Sequence, residues 1–530
     1  MCVLRGFRRS PRLQAPAVSN SVDTFMNAAR SGPSNLLLAS HESQPSLRLL
    51  IATGCAALNS ANLGFDIGVI GGAAVFIVQD FTLSEVETEV LMGVLNFCAI
   101  IGAAVSHVLT DRYGRCRTFA ISSVVFIVGV TLMASAPSYG PLLLGRVITG
   151  IGTGFGFAID PLYISEISPK HYRGRLVTAS EIGLNVGIIL GFVADYAFRG
   201  LPPSSAWRSM LGAGLIMPLF IVVLSATVMP ESPRWLVAHG RRDEAAVTLA
   251  KLHGSDCVET TIAEIVEAVE HDRSIAALGW QPILRPSRGV RRALVVGVGI
   301  AAAQHSMATE SIIFYLPSIL DGAGITSTTR VFTFQMIMGV IKTACVVVSA
   351  AFLDRAGRRP MLLVGVLGMG LALCLLAVSL IGQSSPAFAI SAVYLYMAAF
   401  SLGIGPGCWL VASEVFPLHV RAKAMALCTI ANRLVATLIA MTFLSLVRVM
   451  SYSGYYIMFA AVAAAVWAFV YRLLPETKGR TLEEMERHFE AAASGTPGYP
   501  ARPPPPGRAD AVMPPRAGSI EIVAAARAAL

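Results

Sequence analysis

Charge is scarce in this 530-residue chain. Asp, Glu, Lys and Arg together make up 14% of it, against roughly a quarter of an ordinary soluble domain. Set beside an apolar content of 55%, that scarcity excludes a soluble globular protein and predicts a membrane one. Cysteine forms no framework: the nine cysteines fall mostly inside apolar runs, where they act as small apolar residues rather than disulfide partners. They show no metal-ligand spacing either. An Asn-x-Ser/Thr acceptor is missing, and so is a compact signal peptide at the start, so residues 1 to about 45 read as a flexible cytoplasmic tail. The glycines at Gly145, Gly150, Gly152, Gly154 and Gly156 have no strand before them and no Gly-Lys-Ser/Thr after them. They read as close helix packing and not as a nucleotide loop. No catalytic constellation stands outside the apolar runs, so the expectation is a non-enzyme.

What is present is a series of apolar runs of about 20 residues, each long enough to span a bilayer as a helix. Twelve are visible, near 49–72, 90–110, 118–136, 140–163, 175–198, 209–229, 292–318, 331–353, 361–382, 387–412, 422–447 and 455–474. The net charge of +9 is scattered between them and forms no single patch for nucleic acid. Arg5, Arg8, Arg9, Arg12 and Arg30 precede the first run, whereas the next gap holds Asp80, Glu85, Glu87 and Glu89 and no base. Bases return after the second run (Arg112, Arg115, Arg117), the sixth, the eighth (Arg355, Arg358, Arg359) and the tenth (Arg421, Lys423). The positive-inside rule then predicts that both termini are cytoplasmic.

The halves repeat each other. Asp111-Arg112-Tyr113-Gly114-Arg115 recurs as Asp354-Arg355-Ala356-Gly357-Arg358, Ser165-Glu166 through Arg173 recurs as Ser413-Glu414 through Arg421, and Pro230-Glu231-Ser232 recurs as Pro475-Glu476-Thr477. An even number of spans separates the copies, which predicts a parallel repeat about an axis along the membrane normal. The expected organisation is a tail at 1–47, a six-helix bundle at 48–230, a charged, partly helical linker at 231–291, a second bundle at 292–474 and a tail at 475–530. That last tail opens with a short amphipathic helix and continues as a disordered Pro/Ala/Gly-rich run. The duplicated charges Asp111, Arg112, Arg115, Glu166, Arg173, Asp354, Arg355, Arg358, Glu414 and Arg421 sit at cytoplasmic span ends, where they can pair between bundles as a latch on an inward gate. Plain topological anchoring by the arginines is the alternative.

One residue stands out. Asp66 is the sole charge in the first run, and an ionisable group at the bilayer centre costs ~2.5–3.5 kcal/mol on insertion scales, so it marks an ion or substrate path with a partner. Arg146, one turn into the fourth span, is the cation that answers it, either as a switch freed by protonation or as a static ion pair. A proton crossing 100 mV carries ~2.3 kcal/mol and one pH unit adds about 1.4, enough together to concentrate a neutral solute several-hundred-fold. Passive facilitation needs no buried acid.

Gly64 through Ala73, the two Asp-Arg-x-Gly-Arg loops, Gly145-Arg146, Pro161-Leu162-Tyr163-Ile164-Ser165-Glu166, Pro230 through Leu236 and Pro475 through Gly479 resemble the sugar porter branch of the major facilitator superfamily over nearly all of 48–486. Ser180 through Ile188, Tyr196-Ala197-Phe198 and Gly339 through Thr343 are most similar, within that branch, to plant polyol/monosaccharide proton symporters. The resemblance implies an all-α membrane protein of twelve transmembrane helices in two parallel-repeat six-helix bundles. It implies a monomeric importer of neutral polyols or monosaccharides working by alternating access, with the proton as coupling ion, no other cofactor, and the plasma or vacuolar membrane as its location. In that family the carboxylate matching Asp66 takes the proton and the arginine matching Arg146 senses it.

The solute would bind near the midplane. Gln304 and His305 match the family's paired glutamines, with His305 a departure. Met307-Ala308-Thr309-Glu310 replaces the usual Ser-Gly-Ile-Asn/Asp, and loss of that glycine would stiffen the helix. Glu181 and Lys342 stand where hexose carriers have glutamine and asparagine, so the cavity holds Glu181, Glu310 and Lys342, set either to meet solute hydroxyls or, for Lys342 and Glu310, to pair with each other. Tyr315, Trp409 and Asn432 match positions for gating, stacking and hydroxyl binding. Trp409 follows the breaker run Gly403 to Gly407. His107 replaces a latch glycine. A passive facilitator and a transport-inactive sensor are the alternative readings.

Overall fold

The computed structural model describes residues 46–169, 172–254, 258–277, 279–381 and 386–494. The tails expected at 1–45 and beyond 494, including the Pro-rich run, lie outside the described residues. Every regular element among them is helical. The first half contains α1 (Leu47–Phe81), α2 (Glu85–Tyr113), α3 (Arg115–Ala134), α4 (Tyr139–Ile167), α5 (Arg173–Phe198), and α6 (Pro203–Gly212) continued through a tight turn into α7 (Ile216–Thr227). Four short linker helices follow, α8 (Pro233–Ala238), α9 (Arg242–His253), α10 (Val258–Ala277) and α11 (Gln281–Leu284). The second half comprises α12 (Arg288–Ser306), α13 (Thr309–Phe314), α14 (Leu316–Gly322), α15 (Thr328–Ala356), α16 (Arg358–Ile381), α17 (Pro386–Leu402), α18 (Ile404–Val415) and α19 (Arg421–Leu473), and α20 (Leu482–Ser494) closes the described chain.

Ten helical segments are individually long and apolar enough to cross a membrane. They become twelve spans for two local reasons. Helix α19 is two spans joined at Ser451, whose φ of 66° and ψ of 165° leave the helix. The seventh span is broken into α12, α13 and α14, so no single piece reaches full length. The amphipathic helix expected after Pro475 is α20, which buries Met485 and Phe489. The expected linker helices are α9 and α10.

The duplication is visible as geometry. Gly114 and Gly357 adopt φ of 92° and 93°, a backbone region open essentially to glycine. Their turns present the next two amide groups to a carboxylate: Arg115 and Cys116 N–H donate to Glu231 at 2.8 and 3.3 Å, and Arg358 and Arg359 N–H donate to Glu476 at 3.0 and 3.1 Å. Each arginine side chain then reaches the matched glutamate, Arg115 to Glu166 at 2.8 Å and Arg358 to Glu414 at 2.9 Å. Here the structure corrects the pairing expected between bundles: these charges pair within their own half. The reason is local. The turn before α3 or α16 aims its arginine at the last turn of α4 or α18, the nearest carboxylate. Asp111 is exposed and 3.8 Å from Arg115, and Arg112, Arg173 and Arg355 are exposed. Arg421 reaches only the Phe416 carbonyl, at 3.5 Å, and the side chain of Asp354 lies outside the described set. His107 is exposed.

The polar contacts that do join the halves lie at the face away from the linker and at the middle. At that far face Ser445 donates to Glu89 through N–H at 2.8 Å and Oγ at 2.6 Å, Arg448 meets Glu85 at 3.5 Å, and Arg199 donates to Thr329 at 3.2 Å. Phe76 and Phe332 pack edge to face, 6.3 Å apart. On the linker side, α5 residues Thr178 to Ile182 and Trp409 of α18 are only partly covered.

The seventh span breaks at Ala308, which takes a φ of 67° although it is not a glycine. Side chains hold the turn. Tyr396 OH donates to the Met307 carbonyl at 2.7 Å, Thr309 Oγ1 donates to the Gln304 carbonyl at 3.1 Å, and Ser311 Oγ donates to the Ala308 carbonyl at 2.7 Å. A left-handed alanine costs about 1–2 kcal/mol, so Ala308→Gly should stabilise the protein by about 1 kcal/mol. A raised unfolding midpoint in detergent is the expected result, and an unchanged or lowered one would show that the alanine is not strained.

Candidate functional site

Asp66 and Arg146 meet. Arg146 Nη1 donates to Asp66 Oδ1 at 2.7 Å and Oδ2 at 2.8 Å, and its Nε donates to the Leu91 carbonyl at 3.4 Å. Arg146 is 0% exposed and Asp66 3%. Beside the pair α1 packs tightly on α5: Gly64 and Gly68 of α1 lie so near the Leu184 and Ile188 carbonyls of α5 that a Cβ would sit 1.9 and 2.4 Å from them. One nitrogen is left over, since Arg146 Nη2 has no hydrogen-bond partner.

A second polar group occupies the middle of the molecule. Gln304, on the last turn of α12, donates to the Gly405 carbonyl at 2.6 Å and accepts from Asn432 Nδ2 at 2.7 Å, while the same Asn432 nitrogen donates to the Ala301 carbonyl at 2.8 Å. His305 Nδ1 lies 3.1 Å from Glu310 Oε1, both side chains being buried. Lys342 Nζ donates to Asn185 Oδ1 at 2.5 Å, so the alternative of a Lys342 to Glu310 pair is not what forms. Asn185 is held by its own bond to the Glu181 carbonyl at 2.7 Å. Trp409 is half-buried beside this group, and Tyr315 lies toward the far face, its OH donating to the Ala440 carbonyl at 2.7 Å and its ring 4.5 Å from Phe443.

Sequence reasoning missed Arg433. It lies 4.5 Å above the Phe157 ring and donates to Asn432 Oδ1 at 3.1 Å and to Asn96 Oδ1, across the halves, at 3.2 Å. The signal was available, because Arg433 is a charge inside an apolar run just as Asp66 is. Asp160 of α4 was missed in the same way; it accepts from Asn59 at 2.7 Å and Ser60 at 2.5 Å. Asn96 and Asn185 carry no such signal. Among the described residues no group of three or more His, Cys, Asp or Glu is placed to hold a metal.

Two bundles of matched construction, a broken helix in the second of them, and buried polar groups at their junction define a major facilitator fold. Residues 52–489 match the family model described as "Sugar (and other) transporter". The chain is 40% identical to the probable polyol transporter 4 of Arabidopsis thaliana over 445 residues, covering 82% of this chain and 84% of that one. Among solved structures it resembles the partially occluded inward-open form of the xylose transporter XylE from E. coli, with a TM-score of 0.72, 26% identity, and coverage of 82% of this chain and all of that one. It also resembles the proton:xylose symporter XylE bound to 6-bromo-6-deoxy-D-glucose, with a TM-score of 0.70, 27% identity, and coverage of 83% and 98%. The protein belongs to the sugar transporter family of the major facilitator superfamily, on its sugar and polyol porter branch. It is an integral, multi-pass membrane transporter.

The buried ion pair makes a stability prediction. Removing one partner of a buried pair costs about 3–5 kcal/mol because the other charge is stranded, whereas replacing both with apolar groups is often neutral. Arg146→Met should therefore lower the unfolding midpoint in detergent more than Arg146→Met combined with Asp66→Leu. Equal losses in the two variants would show that the charges do not interact.

Proposed function

We propose that the protein imports neutral polyols or monosaccharides together with protons by alternating access, with Asp66 as the proton carrier and Arg146 as the group that reports its charge. The observation that carries this reading is the bidentate acceptance by Asp66 of one Arg146 nitrogen in a site closed to water. An ionised carboxylate holds the arginine; a protonated one accepts weakly and releases it to other acceptors, such as the Leu91 carbonyl it already touches. The pair therefore has two arrangements that differ by one proton, which a passive path does not require. Both termini and the linker are assigned to the cytoplasm, in keeping with the arginines of that face, and the plasma membrane is the proposed location. The protein acts as a monomer.

Solute would bind from the linker side between the halves. Gln304 and Asn432 present amide groups, Lys342 and Arg433 donate, and Glu181 and Glu310 accept, with Trp409 as the apolar wall for a ring or carbon chain. Charge-assisted hydrogen bonds of this kind suit hydroxyls. Tyr315 and the intra-half latches at Arg115–Glu166 and Arg358–Glu414 are assigned to gating. The motif charges Asp111, Arg112, Arg173, Asp354, Arg355 and Arg421 are assigned to the same gate, as groups that re-pair when the linker side closes.

Two outcomes test this. Asp66→Asn should abolish uphill uptake of labelled sorbitol or glucose into vesicles under a pH gradient while leaving counterflow exchange; full accumulation by the variant would refute the coupling role. Gln304→Ala removes one hydrogen-bonding side chain, worth about 1–1.5 kcal/mol, so the solute concentration giving half-maximal exchange should rise about tenfold. An unchanged value would place the solute elsewhere.

A further inference from the structure

A second carboxylate is buried in the first half and the ion pair above makes no use of it. Asp195, on α5, is 0% exposed. Its oxygens rest against the Gly72 backbone, which passes so close that a Cβ there would lie 2.2 Å from the carboxyl group, and no side-chain donor reaches either oxygen. On the adjacent residue of α1, Gly71 packs against the second half: a Cβ there would meet the Phe314 carbonyl at 2.9 Å and Gln335 Nε2 at 3.5 Å. Gln335, on α15, is also 0% exposed, and neither atom of its amide has a partner. Two unsatisfied polar side chains thus flank one turn of α1 where the halves close on the far face. A cavity of about 440 Å³, lined by Gly71, Gln79, Tyr315 and Phe332 among others, adjoins that turn.

Among the described residues, none of the charges on the neighbouring elements bonds to Asp195; Glu181 of α5, whose carbonyl accepts from Asn185, lies toward the linker side. On α1, Asp66 is held by Arg146, and Asp80 accepts from Trp207 and Arg208 of α6. Just past the end of α5, Arg199 bonds to the Tyr196 carbonyl and to Thr329, with its guanidinium over the Tyr196 ring. On α15 the sequence has no charge between Arg330, which is exposed, and Lys342, which bonds to Asn185. Glu310 of α13 faces His305, and Asp321 of α14 is exposed.

We propose that Asp195 is a second proton-binding site, distinct from Asp66, which must be filled for the far-face gate to close. An ionised carboxylate with no cation and no side-chain donor is strongly disfavoured in an apolar environment, whereas the same group carrying a proton fits the closed packing, and in the open form water can solvate the charge. The proton comes from and returns to the far solution, because Asp195 is sealed from solvent when that face is closed. It therefore gates without being carried. The inference rests on the alternating-access reading given above.

The test is counterflow exchange of labelled solute in proteoliposomes, with equal pH on both sides, measured from pH 5 to pH 9 for the full chain and for Asp195→Asn. Exchange by the full chain should fall at alkaline pH by about tenfold, and Asp195→Asn, whose amide cannot ionise, should keep most of its acid-side rate. The number of protons entering per solute should be the same in both. An alkaline limb unchanged by the substitution would overturn the proposal, and a halved proton-to-solute ratio would overturn the claim that the proton is not carried. Binding of solute to the detergent-purified variant separates misfolding from a gating change; if Asp195→Asn fails to bind, Asp195→Ser should be used for the same profile. Loss of exchange at every pH by the unmodified protein would sink alternating access itself, a result distinct from either of these.

Discussion

Charge held in a medium that cannot solvate it is the constraint on which this structure depends. Within the spans, Asp66 is answered by Arg146 at 2.7 Å, Lys342 by Asn185, Arg433 by Asn96 and Asn432, and Asp160 by Asn59 and Ser60. Apart from Asn432, the neighbour of Arg433 on α19, each partner comes from a different helix, so satisfying the charges fixes how the helices sit. The ion pair ties α1 to α4 inside one half. Lys342 and Arg433 instead reach across the junction, to neutral amides that bind them without a matching charge. A neutral acceptor is easier to leave than a carboxylate, which suits contacts that would break in the alternating access proposed above.

The contrast with the motif charges is instructive. Arg115 and Arg358 face carboxylates of their own half, with their turns fastened by Glu231 and Glu476. Those assemblies are rigid corners duplicated with the bundle, and their strength serves each half as a body. Motion is then left to the junction, where Glu89 and Ser445 close the far face and only partly covered side chains line the other. The likeness to the partially occluded inward-open form of XylE agrees with that arrangement.

How much of this the sequence disclosed follows from the kind of signal each part leaves. Three motifs repeated at nearly one spacing disclose the two-bundle plan, and a lone Asp in an apolar run discloses Asp66, because both are patterns along the chain. Partner choice is not. Asn96 and Arg433 stand 337 residues apart, and an asparagine in an apolar run gives no hint that it will receive a guanidinium. The left-handed turn at Ala308 was hidden for the same reason: it is sustained by Tyr396, 89 residues beyond the carbonyl it binds. The motif charges were legible as a duplicated set at span ends, but their partners depend on the direction in which a glycine turn aims a side chain, which spacing does not state.

The central claim is that solute entry and proton entry are one event. Its most direct measurement is the external pH of lightly buffered proteoliposomes containing the purified protein, with membrane potential clamped and no pH gradient imposed, at the moment sorbitol or glucose is added. The account predicts an immediate alkalinisation that scales with solute uptake. Labelled solute that equilibrates across the membrane while the external pH stays constant would contradict it.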